Sequence, residues 1–248
     1  TTQRTRRGKC AVWGSGPAGR AAAFLMSRRG YPVSIVEASG KSGGMLRYGI
    51  PIYRLPGDIL DAEVAAIAAL GVDIKYGARV GGDVSMDDLK KDFEAIYLAI
   101  GAHEGWNLGI PGEEGEGVMN AVEFLNKVNA GDSIDVKGKK VLIIGGGNSA
   151  VDASRVSWRM GAASEIIYRR TREEMPAEEE EIDDTLAEGV NIQYLTAPVE
   201  IIRGADGKVT GLKGIKMELG EPDDSGRRRP EPVEGSEFVI DCDLVLPA

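Results

Sequence analysis

Apolar positions along the chain come in short runs followed by stretches of helical periodicity, and this succession occurs twice. Residues 9–13 (KCAVW) read as a strand, residues 18–29 as a helix of small and apolar residues, and residues 31–38 (YPVSIVEA) as a second strand ending at Glu37. Strand, tight turn, helix and strand in that order make a right-handed βαβ unit. Further on, the pattern predicts a helix over 58–71 stopped by Gly71, a strand over 72–77, a short helix over 86–93 and a buried strand over 94–102. Residues 102–117, rich in Gly, Glu and Pro without apolar periodicity, read as a crossing between domains, and 121–129 as one more helix. The second round begins with KKVLIIGGG (139–147), passes through a helix at 149–160 and reaches the strand EIIYRR (165–170). A helix around 177–188, a strand at 191–195 and a β-hairpin or meander over 199–240 follow, with DGK at 206–208 as the strongest turn.

The two glycine-rich turns, GSGPAG (14–19) and GGGNSA (145–150), give this pattern its chemistry. In a βαβ unit, Gly14 makes the tight turn, Gly16 lets a pyrophosphate approach the backbone, and Gly19 packs helix on strand. The helix that follows turns free N–H groups and a positive dipole end towards the phosphates. From Gly14 to Glu37 is 37 − 14 = 23 residues, and the same step from Gly145, 168 − 145 = 23, lands on Tyr168, followed by Arg169 and Arg170. A carboxylate at Glu37 accepts hydrogen bonds from an adenosine ribose and repels a 2′-phosphate, which fits FAD or NAD. In the second copy Gly145 and Gly147 end the strand, and Asn148 and Ser149 open a helix for a second pyrophosphate. Tyr168 can stack on or flank the adenine, and Arg169 and Arg170 can meet a 2′-phosphate, favouring NADPH over NADH. Charge-assisted hydrogen bonds contribute about 1.5–3 kcal/mol each, enough to set such a preference. Arg172 either reaches the same phosphate or is a solvated residue at a helix start. The run at 178–181 reads as a solvated acidic face at a helix start.

At 248 residues and 42% hydrophobic, the chain can bury one large core or two smaller ones, and the repeated turn favours two domains, 1–110 and 111–248, in an α/β protein. The net charge of −9 and pI near 4.9 argue against nucleic acid or an anionic membrane as the main partner. Basic clusters at 4–7 and 227–229 are short and read as solvated. No segment approaches the roughly 20 apolar residues of a membrane helix, and the first ten residues are too polar for a secretory signal, so a cytoplasmic setting is expected. Cys10 and Cys242 form no CxxC, which leaves no readable redox dithiol, iron–sulfur or zinc site; both are expected in strands as small apolar residues. The lone His103 reads as a bystander.

GGMLRYGIPIYRLP (43–56), together with GSGPAG, Glu37, AIGA (99–102), GGGNSAVD and YRRTREEMPAEEEE, resembles the small subunit of glutamate synthase and its relatives. These include the flavin portion of dihydropyrimidine dehydrogenase and the small-subunit-like chains of flavin-based bifurcating enzymes. The resemblance covers nearly the whole chain. It implies two Rossmann-like domains of the two-dinucleotide-binding flavoprotein type, with FAD in the first. Around FAD it places Gly16, Pro17, Ala18, Gly19, Glu37, Ala38, Gly43, Gly44, Met45, Gly101 and Ala102, with Arg54 near the phosphates and Val80 against the adenine. It also implies hydride transfer from NADPH to FAD and onward transfer to an iron–sulfur or second-flavin acceptor on another domain or chain. Relatives carry an N-terminal cysteine-rich region and a returning segment that closes the FAD domain; this sequence shows neither and reads as cut off. The alternative is a nucleotide-binding or assembly module without turnover.

Overall fold

Both apolar runs that lead into a glycine turn become central strands of parallel sheets. The computed structural model describes residues 8–224 and 226–248, so the basic cluster at 4–7 lies outside the described residues. The chain divides into two compact units, Thr1–His103 and Glu104–Ala248.

The first unit runs β1 (Cys10–Trp13), α1 (Pro17–Arg28), β2 (Val33–Val36), α2 (Met45–Tyr48), α3 (Gly57–Ala68), β3 (Asp73–Lys75), α4 (Met86–Asp92) and β4 (Ala95–Leu98). Its strands are all parallel in the order β3-β2-β1-β4. Cys10, Val12, Val33 and Ile35 from the two central strands, with Ala23 of α1 and Val72, form the core. Pro17 starts α1, where its missing N–H costs nothing, and Ser85 and Asp88 close a capping box on α4. One expectation fails here. The strand expected to be buried, β4, lies at the sheet edge with Ala95, Tyr97 and Leu98 exposed, because it pairs with β1 on one side and its apolar side chains lie outside the core cluster.

The second unit runs α5 (Ala121–Ala130), β5 (Lys140–Ile144), α6 (Asn148–Arg159), β6 (Ala163–Ile167), a 3-10 turn (Arg172–Glu174), α7 (Glu179–Ala187), β7 (Asn191–Gln193), β8 (Thr196–Arg203), β9 (Val209–Pro222), β10 (Arg228–Pro232), β11 (Phe238–Asp241) and β12 (Leu244–Pro247). Its parallel sheet reads β7-β6-β5-β12, the same arrangement as the first. Between β7 and β12 the chain makes an antiparallel meander, in which β9 pairs with β8 and β11 along one half and with β10 along the other. The expected DGK turn joins β8 to β9: Gly204 donates to the Lys208 carbonyl at 2.9 Å, and Gly207 takes φ +79°. Of the basic cluster at 227–229, read as solvated, Arg228 and Arg229 are exposed and open β10, and Arg228 is engaged by Glu173 and Glu174. Residues 104–110, grouped with the first domain on sequence, contribute Leu108 and Ile110 to the second unit's core of Leu142, Ile144, Leu212 and Val245.

Both cysteines are buried. Cys10 lies in β1, whereas Cys242 falls between β11 and β12 rather than within a strand. Burial, and secondarily Asp243 and Asp241, push the Cys242 thiol up to about 12. Among the described residues no helix is long and apolar enough to cross a membrane.

Candidate nucleotide-binding sites

Backbone hydrogen bonds superpose the two copies residue by residue. Gly14 N–H donates to the Val36 carbonyl at 2.9 Å and Gly145 N–H to that of Ile167 at 3.1 Å. Glu37 donates to Lys75, and Tyr168 to Gln193, at 2.9 Å each. Ala99 donates to Trp13, and Ala248 to Ile144, again at 2.9 Å. Glu37 and Tyr168 therefore occupy one position in two equivalent frames, as the shared 23-residue step implies. At Gly14 (φ +104°) and Gly145 (φ +151°) a Cβ would run into the carbonyls of Ala99 and Ala248, so both turns demand glycine for the same reason.

In the first copy, Glu37 is buried at 7% exposure. Its Oε2 accepts from Ser15 N–H at 2.9 Å and from the Ser15 hydroxyl, and its Oε1 from Ser39 N–H at 2.7 Å. Burial pushes this carboxyl up, but the hydrogen bonds from Ser15 and Ser39 outweigh it and hold Glu37 below the usual carboxylate range. Gly43 N–H donates to the Ser15 carbonyl at 3.2 Å, and a Cβ on Gly44 would stand 2.9 Å from the Gly16 Cα. Gly14, Gly16, Gly19, Glu37, Gly43, Gly44 and Met45, which opens α2, are thereby brought together, with Ala38 beside Glu37. Arg47 ties this loop down, its Nε on the Ser42 carbonyl at 2.5 Å and its Nη2 on Asp61 of α3. No side chain caps α1, whose first turn exposes Pro17 and Ala18. Arg54 lies in the turn after Pro51, where its N–H donates to the Pro51 carbonyl at 3.0 Å. Val80 bridges to Val84. Gly101 and Ala102 are exposed just beyond the end of β4, and Gly101 takes φ +70°.

The second copy is built differently from the same frame. Tyr168 is buried at 5% exposure, and its hydroxyl donates to the Glu174 carbonyl at 2.6 Å. A Cβ on Gly146 would meet its ring at 2.5 Å, so the ring packs against the glycine turn. α6 starts from Gly147 with no side-chain cap and with Asn148 and Ser149 exposed; the Asn148 side chain accepts from Glu178 N–H at 3.1 Å, tying the starts of α6 and α7 together. The two arginines part company. Arg169 is exposed, and no described residue engages its guanidinium. Arg170 is buried, its Nη2 donating to Asp223 and its Nε to the Arg228 carbonyl, both at 2.7 Å. Arg172 pairs with Asp183 of α7. Of the acidic run, Glu178, Glu179 and Glu180 are exposed as expected, whereas Glu181 pairs with the buried Arg155 of α6. Sequence reasoning passed over Ser15, Ser39, Asp223, Glu174 and Arg228; only Ser15, inside the glycine motif, carried a local signal.

Comparison with known proteins agrees with this architecture. Residues 8–248 match the family model described as pyridine nucleotide-disulphide oxidoreductase. Among curated relatives, the beta subunit of NADP(+)-dependent formate dehydrogenase of Moorella thermoacetica is 47% identical over 100% of this chain and 35% of its own length. The beta subunit of NADPH-Fe(3+) oxidoreductase of Geobacter sulfurreducens is 45% identical over 97% of this chain and 36% of its own. The glutamate synthase [NADPH] small chain of Escherichia coli is 35% identical over 97% of this chain and 53% of its own. The chain thus spans between about a third and about half of the length of these relatives. Among solved structures, Mycobacterium tuberculosis FprA in complex with NADPH aligns with a TM-score of 0.83 at 22% identity, covering 98% of this chain and 70% of FprA, which shows a shared fold. With two dinucleotide-binding frames in one chain and these relatives, the chain belongs to the pyridine nucleotide-disulphide oxidoreductase family, with glutamate synthase small chains among its kin.

Proposed function

We propose that this chain is the FAD- and NADPH-binding module of a larger oxidoreductase, FAD in the first frame and NADPH in the second. The observation that carries the reading is the contrast at the ends of two equivalent strands: a buried Glu37, held ionised by its hydrogen bonds, in the first copy, and in the second an exposed Arg169 one residue past the equivalent Tyr168. The residues present fit both groups. At Gly16 a Cβ would find only the Gly44 Cα, 3.9 Å away, so the backbone beside the uncapped α1 stays open to a pyrophosphate. Gly147 is as open, with only Pro176 at 3.9 Å. Bound FAD supplies the two-electron to one-electron conversion that lets hydride from NADPH leave as single electrons.

In this reading Gly14, Gly16, Pro17, Ala18 and Gly19 carry the FAD pyrophosphate with Arg54. Glu37 and Ala38 meet its ribose, Val80 its adenine, and Gly43, Gly44, Met45, Gly101 and Ala102 complete the cradle. Gly145, Gly147, Asn148 and Ser149 carry the NADPH pyrophosphate. No protein acid or base is required, since the task of the chain is to hold two nucleotides in place. The electron acceptor is an iron–sulfur cluster or second flavin on another domain or chain. The relatives support this: two are beta subunits and one a small chain, all named for NADP(H). Glutamate synthase is one such setting; formate or ferric iron chemistry are others. The test is the visible spectrum of the purified holoprotein under anaerobic conditions. An oxidised-flavin spectrum bleached by one equivalent of NADPH is expected; a colourless protein, or a flavin that NADPH leaves oxidised, would sink the reading.

A further inference from the structure

Two adjacent arginines end β6, and we propose that they do different work: Arg169 alone reads the 2′-phosphate, while Arg170 is a positioning residue set from the meander by Asp223. The inference rests on the NADPH reading of the second frame.

The side chain of Arg170 is only 5% exposed, and Asp223, itself 23% exposed, neutralises its charge at 2.7 Å. A guanidinium offers its N–H donors in a rigid planar fork. Here Nη2 is committed to the Asp223 carboxylate and Nε to the Arg228 carbonyl. An arginine so placed is a strut.

Arg169 stands between clamped neighbours. On one side Tyr168 is fixed by Gly146, by its hydroxyl on Glu174 and by two backbone bonds, one to Gln193 and one from Thr196. On the other, Thr171 donates from its N–H at 3.2 Å and its hydroxyl at 2.5 Å to Glu174 Oε2, while Glu174 Oε1 accepts from Arg228 Nε at 2.8 Å. The exposed cation is thus held by a ring of bonds that closes through β10.

The first frame explains why an outside support is needed. There the strand-end residue is an acid, and donors within the βαβ unit, Ser15 and Ser39, satisfy it. In the second frame two positive charges follow one another, and the counter-charge comes from the meander inserted between β7 and β12. The meander also grips the turn from below. Leu195 N–H donates to the Arg170 carbonyl at 3.1 Å, and the Leu195 carbonyl accepts from Met217 of β9 at 2.8 Å. Leu195 takes φ +51°, a conformation that disfavours leucine, at the position where the first frame has Gly77 at φ +64°. Gly77 likewise donates to Ser39, two residues beyond Glu37, so the positions correspond.

The experiment measures Kd for NADPH, NADH and 2′,5′-ADP on the holoprotein, for Arg169→Ala, Arg170→Lys, Asp223→Asn and Arg169→Ala/Asp223→Asn. Arg169→Ala should weaken NADPH and 2′,5′-ADP by about tenfold to a hundredfold, the range of one charge-assisted bond, and leave NADH unchanged. Asp223→Asn and Arg170→Lys should each lower the NADPH-to-NADH preference by a smaller factor. Asp223→Asn should change nothing further once Arg169 is gone, because it acts through Arg169. Asp223→Asn is nearly isosteric, which keeps the fold, and NADH affinity reports any general damage. Tighter NADPH binding by Asp223→Asn would make Arg170 a phosphate ligand restrained by Asp223 and overturn the inference. So would an unchanged preference in Arg169→Ala. A parent protein with no preference for NADPH would overturn the nucleotide reading itself.

Discussion

The Cβ that Gly146 lacks is replaced in space by the ring of Tyr168, while at the equivalent place in the first copy Ser15 carries a side chain that bonds the smaller Glu37. Each copy therefore pairs a residue inside the glycine turn with the residue that ends the next strand, and the two pairs share one volume differently. Gly146→Ala forces the ring to move while its hydroxyl is held by Glu174 at 2.6 Å. Such overpacking costs about 1–3 kcal/mol, and for a chain of this size each kcal/mol lowers Tm by roughly 2–4 °C. Adding Tyr168→Leu to Gly146→Ala should recover a large part of that loss. A calorimetric scan that shows the double variant less stable than Gly146→Ala alone would refute the shared-volume argument. The 23-residue step was readable because it is set by one helix and two strands of fixed length. That residues 15 and 146 answer to residues 37 and 168 was not, since it depends on where side chains meet across the strand ends.

Among the elements, α6 and α7 are joined by charge. Arg155, with a side chain 6% exposed, reaches Glu181, Asp184 at 3.1 Å and Glu188 at 2.6 Å, and Arg159 shares Glu188. The hydrogen bond from Arg159, with that from Arg155, brings Glu188 from its ordinary value of 4.5 to about 2 against the opposing effect of burial. A carboxyl lowered in the folded state adds stability that is fully present above its unfolded pKa and is lost as pH falls through the folded one. Stability from this clamp should therefore decline between about pH 4.5 and pH 2. Glu188→Gln should unfold at lower urea concentration than the parent at pH 7, and the gap should close towards pH 2. Circular dichroism during urea titration at several pH values checks this, and a gap of equal size at pH 7 and pH 2.5 would show that the ion pair is not its source. On sequence the acidic run looked like a solvated face, because helix-start acids need no partner to be favourable. The partner of Glu181 lies 26 residues earlier in the chain, on the neighbouring helix.

Over the whole molecule, what could be read from sequence was the frame: two strand, glycine turn, helix and strand units with the turns at corresponding places, which the structure sets in sheets of the same strand order. What could not be read was pairing across the insertion. RRRPEP carries two prolines and a basic cluster, poor credentials for a strand, yet β10 forms there because β9 is long enough to offer it a partner after β8 and β11 are served. The same insertion brings Asp223 to Arg170 across 53 residues of chain. On the proposed assignment of FAD to the first frame and NADPH to the second, the two frames should respond separately to a fragment of one nucleotide. The fragment 2′,5′-ADP carries the phosphate that Arg169 would meet and lacks the nicotinamide. At 100 times its Kd a ligand stabilises the form that binds it by about 2.7 kcal/mol, which slows amide exchange wherever opening must release it. Hydrogen exchange with 2′,5′-ADP should therefore slow at residues 145–149, 168–172 and the β9–β10 arm near Asp223, with residues 14–19 and Glu37 unchanged. Protection at 14–19 in place of 168–172 would mean that the two nucleotides sit in the opposite frames, with the carboxylate at Glu37 facing a phosphate it repels.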